Sequence, residues 1–204
     1  MTESFDYESE ANHIEKRSAL SDELQLALTN LTTVCGTRDQ WPQHQRYAGE
    51  AEFWLQIHNA LRGAANELPE RCAAWLLLLD EPAERKKHLT RLSQLGGQLI
   101  HHTHTHHHVE EHHFFPLFKH TYPTLNHHIE LLDGDHRVLT VALDQLETAF
   151  NSMPVIKDEE DKKQQSLLAI KSEELYRAAK NLQQLFSRHL TDEEEICIPA
   201  LLQM

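Results

Sequence analysis

The chain has 204 residues, a formal net charge of −13 with its 17 histidines taken as neutral, and only 6 Gly and 7 Pro. That length supports one domain, or one domain with an added helix, and a real core. The acidic balance offers no basic face to neutralise phosphates, which argues against nucleic acid or an anionic membrane as the main partner; a charged, solvated helix surface accounts for it without any function.

Long stretches rich in Ala, Leu, Glu, Gln, Lys and Arg, with no alternating strand pattern, predict an all-α fold. Residues up to about Ile14 are polar, and a first helix is expected from about Glu15 to Val34, with Leu20, Leu24, Leu28 and Leu31 at helical spacing. Trp41-Pro42 marks a break. The first bundle helix, about Gln43 to Leu68, carries Tyr47, Ala51, Trp54, His58, Leu61, Ala65 and Leu68 on one face; Pro69 is expected to end it. A short apolar helix around Ala73 to Leu79 then covers one bundle end. The second bundle helix runs from Pro82 to about Phe115, and Pro116 and Pro123 bracket the next turn. The third spans about Leu125 to Phe150. After a linker through Pro154 and the charge run Lys157 to Lys163, the fourth spans about Lys162 to Cys197. The domain organisation expected is an N-terminal extension with one helix, residues 1–42, followed by a four-helix bundle, residues 43–204.

Cys35, Cys72 and Cys197 are scattered and lack CxxC spacing, so they read as small apolar filler. The acidic N-terminus has no apolar signal core and no segment reaches membrane-spanning length, which predicts a cytoplasmic protein. The extra helix and the apolar segment near Trp75 serve either as a cover over the bundle or as a homodimer face.

The second half of the chain repeats the first. His106 to Pro116 and His189 to Pro199 both read H-x-x-x-E-E-x-x-x-x-P, and each is preceded by a phrase sharing His, Leu, Ala and Leu, from His58 and from His136. Two copies of a helical hairpin with inward His and Glu suit a two-metal site inside a four-helix bundle. On the second bundle helix the inward stripe reads Leu92, Leu95, Leu99, His102, His106, Glu110, with His113 beyond. On the third it reads Leu125, Leu132, His136, Leu139, Leu143, Leu146, Phe150, and on the fourth Leu175, Leu182, Leu185, His189, Glu193, Ile196. Neighbours three, four or seven apart share a helix face, so these polar side chains point inward. A buried carboxylate costs several kcal/mol or more unless paired or metal-bound. Each Glu is placed to bridge two ions while its His caps one. Imidazole with carboxylate suits Fe, and also Mn or Zn; without thiolates a structural zinc site is disfavoured.

These residues resemble the hemerythrin-like, or HHE cation-binding, domains over about Gln43 to Met204. The resemblance rests on H…HxxxE…H…HxxxE with EE-x4-P after both HxxxE segments. It implies an up-down-up-down four-helix bundle and two Fe ions in an oxo- or hydroxo-bridged non-haem centre. Carried over residue by residue, the ligands are His58, His106, Glu110, His136, His189 and Glu193. The sequence departs from the oxygen-carrying members at two points. Their third helix has HxxxH where this chain has Thr140, and their fourth has HxxxxD where His189 is followed by Glu193 and Glu194. With one imidazole missing, a more open and more symmetric iron pair is expected.

Within the run His101 to His113, His106 is preferred to His107 because only His106 with Glu110 matches the distance of His189 and Glu193 from their proline. His102, one turn away on the same face, is a candidate either to support the ligands from behind or to replace one; His101, His104, His107, His108 and His112 are expected at the surface. Tyr47 shares the face of His58 and reads as packing, with a tunnel-lining role second. Two functions follow. One is a diiron protein that binds O2, peroxide or nitric oxide in sensing, storage or a redox stress response. The other is an iron-buffering or interaction bundle without turnover.

Overall fold

The computed structural model describes residues 35–77, 82–156 and 162–204. The expected helix from Glu15 to Val34 lies outside the described residues, as do Leu78-Leu79 and the stretch 157–161. Four long helices carry the fold: α1 (Glu52–Leu76), α2 (Pro82–Val109), α4 (Asn126–Asn151) and α5 (Lys162–Gln203), with a short α3 (Phe115–Thr121) between α2 and α4. There is no strand among the described residues. The architecture is the expected all-α bundle.

The buried faces explain why these segments are helical. In α1 they are Trp54, His58, Leu61, Ala65, Leu68, Cys72 and Trp75. In α4 they are Ile129, Leu132, His136, Leu139, Leu143 and Leu146, and in α5 Leu168, Ser172, Leu175, Ala179, Leu182, Phe186, His189, Glu193 and Ile196. The steps alternate four and three, the periodicity of helices packed nearly in line.

Pro69 does not end its helix as expected, and the last helix runs past Cys197. Pro69 lies inside α1 and Pro199 inside α5, so α1 runs on to Leu76 and α5 to Gln203. A proline inside a helix costs about 3 kcal/mol through its lost hydrogen bond and ring clash. Beyond Pro69 the same face buries Cys72 and Trp75 next to Leu68, and large apolar side chains contribute roughly 1.5–3 kcal/mol each. Burial wins. The separate apolar helix at Ala73 is therefore the last turn of α1, and the Trp75 indole N–H donates to the Arg85 carbonyl at 3.1 Å.

Pro116 acts differently. The chain stays helical through it, but residues Glu110–Phe114 form a wider, π-type turn before α3. Pro116 has no N–H for the carbonyl one turn back, and the wider turn makes room for its ring. The segment before α1 is kinked at Ala48 and at Gly49, whose φ of 123° and ψ of −122° suit only glycine.

Each long helix contributes a stretch to two compact units. One comprises Ala60–His106 and Leu139–Ser187. Among the described residues its buried side chains are apolar apart from Arg85, Thr103 and Ser172; both hydroxyls donate to the carbonyl one turn back, on Leu99 and Leu168. Gly96 is on the inner face of α2, where a Cβ would overlap the Phe150 ring. Gly96→Ala is therefore expected to lower stability by about 1–3 kcal/mol, the usual cost of overpacking, despite alanine's better helix propensity. A thermal melt that rises instead would show that Phe150 swings away freely.

The other unit comprises, among the described residues, 35–59, His107–Val138 and Arg188–Met204. Its apolar cluster includes Trp41, Trp54, Phe115, Phe118, Ile129, Leu132, Ile196 and Leu202, with Tyr47 packed against it, as expected. This unit also holds every buried His, Asp and Glu among the described residues.

Candidate metal centre

Five of the six expected ligands are buried: His58, Glu110, His136, His189 and Glu193. His106 is half-buried. Ligand atoms of His58, His106, Glu110 and Glu193 all lie within 4.8 Å of one another, and so, separately, do those of His107, His136 and His189.

The placement of His107 corrects the expectation that it is exposed: it is only 4 % accessible. The inner face of α2 reads Leu92, Gly96, Leu99, Thr103, His107, Glu110, whereas Leu95 is half-buried and His102 is exposed. Counting back from Glu110 in steps of four leads to His106 and His102; the helix follows steps of three and four, which lead to His107 and Thr103. His102 is thereby removed as a ligand candidate. His113 is exposed too, because the π-type turn advances the inner face onto Phe115 and Phe118.

The two central carboxylates face imidazoles in opposite senses. Glu110 Oε1 is 3.9 Å from His58 Nε2, and its Oε2 is 3.4 Å from His136 Nε2. Glu193 Oε1 is 3.4 Å from His58 Nε2, and its Oε2 is 3.2 Å from His189 Nε2. Trp54 Nε1–H also donates to Glu193 Oε1 at 3.1 Å. The last of the imidazole contacts, between His189 Nε2 and Glu193 Oε2, lacks hydrogen-bond geometry although both atoms are buried. Imidazole and carboxylate ligand atoms that converge in a buried cluster fit a cation held among them.

The far side of each ring is anchored. His58 Nδ1 meets Glu194 Oε1 at 3.1 Å, His136 Nδ1 meets Glu111 Oε1 at 2.9 Å, and His189 Nδ1 meets Asp135 Oδ2 at 3.2 Å. A carboxylate on Nδ1 fixes the tautomer, turns Nε2 inward and raises its basicity, the usual outer shell of a metal-bound imidazole. The second Glu of each EE pair thus serves the other copy: Glu111, beside Glu110, holds His136, and Glu194, beside Glu193, holds His58. Sequence reasoning quoted the EE pairs as a motif and missed this role. Arg38 in turn pairs with the buried Glu194 and lies 5.2 Å from the Trp41 ring centroid.

The electrostatics of the metal-free site follow from these contacts. Burial opposes charge on His58, but the Glu193 charge, with the Glu110 carboxylate near Nε2 and Glu194 on Nδ1, holds its pKa well above the ordinary value. Burial likewise opposes charge on His189; the hydrogen bond to Asp135 and the Glu193 carboxylate beside Nε2 prevail and raise it to about 9. Burial would raise Glu193, yet His58 and His189 hold it well below the usual carboxylate range. At Cys197, burial and then the nearby Glu193 and Glu110 charges push the thiol well above its ordinary value. It stays a protonated filler in the core, as expected.

The family model for the hemerythrin HHE cation binding domain matches residues 50–201, and the chain belongs to this family. A search of curated proteins found no match, and neither did a search of solved structures. A cation-binding helical bundle is thus the class that fold, site and family define. No helix among the described residues is long and apolar enough to cross a membrane.

Proposed function

We propose that this protein is a non-haem diiron protein that binds O2, peroxide or nitric oxide in sensing, storage or a redox stress response. The observation that carries this reading is the two-sided placement of Glu110 and Glu193, each with one oxygen toward His58 and the other toward His136 or His189. A carboxylate so placed is poised to bridge two ions. Two iron ions held there would supply redox chemistry and open coordination positions for a small exogenous ligand.

The chain's own residues define what such a ligand meets. His58, His136 and His189 are held at Nδ1 by carboxylates, so their Nε2 atoms need little reorganisation on metal binding. Glu111, Glu194 and Asp135 add negative charge around the rings, which favours the higher oxidation state. The Trp54, Phe114 and Phe118 rings lie against one another, with Trp54 5.9 Å from His58, and form an apolar wall beside the carboxylates. Exposed His101, His102, His104, His108, His112 and His113 support the second reading, iron buffering, because a surface run of imidazoles takes up divalent metal.

Protein prepared without nickel affinity media and loaded with ferrous iron is expected to hold two irons per chain. After exposure to air it should show oxo-bridge charge-transfer bands in the near ultraviolet, and azide or peroxide should shift them. One mononuclear ion, or zinc at full occupancy from iron-replete cells, would overturn the diiron reading. Two irons with no spectral response to any small ligand would favour buffering.

A further inference from the structure

Two adjacent residues of α2 reach two different groups of ligand atoms. His106 joins His58, Glu110 and Glu193, and His107 joins His136 and His189. The family pattern accounts for the first histidine and not for the second. Nor does the internal duplication, since the residue after His189 is Leu190, a buried apolar side chain.

The His107 ring lies face to face with His136, with centroids 3.8 Å apart and planes 7° apart, and stands edge-on to His189 at 5.7 Å. His136 and His189 are themselves 5.0 Å apart, edge to face. Both have Nδ1 engaged by Glu111 and Asp135, which leaves Nε2 as their ligand atom. Ligand atoms of three buried imidazoles therefore lie within 4.8 Å of one another, two of the rings pre-oriented at Nδ1; ring lone pairs lie in plane, so His107 turns out of its stack on His136 to share an ion with it. The sequence of α4 offers no second imidazole there, because Thr140 stands one turn after His136.

We infer that His107 is a ligand of the second metal position, where it supplies the imidazole that α4 lacks. This rests on the two-ion reading above. The positions are then unequal: His58 and His106 serve one, and His107, His136 and His189 serve the other, with Glu110 and Glu193 shared. The expected symmetric, open pair becomes one with three imidazoles on one side, and exogenous ligands are directed to the ion with fewer.

The alternative is that His107 only packs against His136, and the test separates the two. His107→Phe keeps a flat ring for stacking and removes the ligand atom; His107→Leu installs the side chain found in the second copy. Full-length wild type and both variants are titrated anaerobically with Co(II), followed by visible absorption and by metal analysis after gel filtration, with helical content checked by circular dichroism. The expected counts are two ions in wild type and one in each folded variant. His107→Gly with free imidazole in the buffer is expected to regain the second ion, which covers the case in which the larger replacements do not fold. Two ions in His107→Phe at wild-type affinity, or no regain in a folded His107→Gly, overturns the assignment. A single ion in wild type overturns the two-ion reading instead, and is read from a different sample.

Discussion

Glu193→Ala is expected to leave the protein with no tightly held metal, whereas Glu194→Ala, one residue further along α5, should only weaken binding. Glu193 places one oxygen 3.4 Å from His58 Nε2 and the other 3.2 Å from His189 Nε2, so its loss removes a ligand atom from both positions. Both are then short of negative charge inside a core that cannot supply it from water. Glu194 meets the ligand set at His58 Nδ1, at 3.1 Å, and pairs with Arg38 on its other oxygen. Losing such an outer partner typically costs about 10–100-fold in metal affinity and leaves the ligand set intact. Metal analysis after gel filtration, with chelator competition for the affinities, checks both. Glu193→Ala retaining one ion at wild-type affinity would mean that this carboxylate serves a single position. Equal losses in the two variants would mean that Glu194 does more than hold a ring.

Most of this arrangement was legible in the chain, and the failures have identifiable causes. The repeated H-x-x-x-E-E-x-x-x-x-P, with the His of the preceding helix, led to His58, Glu110, His136, His189 and Glu193, all of which are buried. Those side chains replace apolar residues in a three-four ladder, a local signal that needs no tertiary knowledge. The inner face of α2 was misread because it holds few large apolar residues to mark it. Gly96 and Thr103 occupy inner positions that a hydrophobicity count passes over, while the neighbouring Leu95 and the histidine run draw the eye to the wrong side. The roles of Glu111, Glu194 and Asp135 depend on rings carried by other helices, so spacing alone does not reveal them. Two hints existed, the doubled Glu in both copies and the Asp beside His136 where the first copy has Ile57. Proline misled in the other direction. Pro69 reads as a stop, but local propensity yields to the apolar surface that the continued helix buries.

Raising the pH from about 6.5 to about 9 should destabilise the metal-free protein while sparing the loaded one. In the metal-free state the buried Glu193 carboxylate is balanced by protons on His58 and His189 beside it. For His189, burial lowers the affinity for that proton, but Asp135 and Glu193 more than restore it and place the pKa at about 9, against 6.5 ordinarily. The sign follows from the proton count. Between those values the folded chain holds a proton that the unfolded chain has released, so stability falls as the pH rises. The contribution is complete below the unfolded value and gone once the folded value is passed. At about 1.4 kcal/mol per pH unit, the window is worth up to roughly 3 kcal/mol, and His58, also held above its ordinary value, acts in the same direction. Metal binding removes the dependence, because an imidazole nitrogen must give up its proton to become a ligand and the ion then supplies the positive charge. Loading at neutral pH should therefore release protons, seen as a binding enthalpy that varies with the ionisation heat of the buffer. The melting temperatures of the loaded and metal-free forms should diverge steadily across the window. Parallel curves, with no protons released on loading, would show that His58 and His189 do not carry the compensating charge.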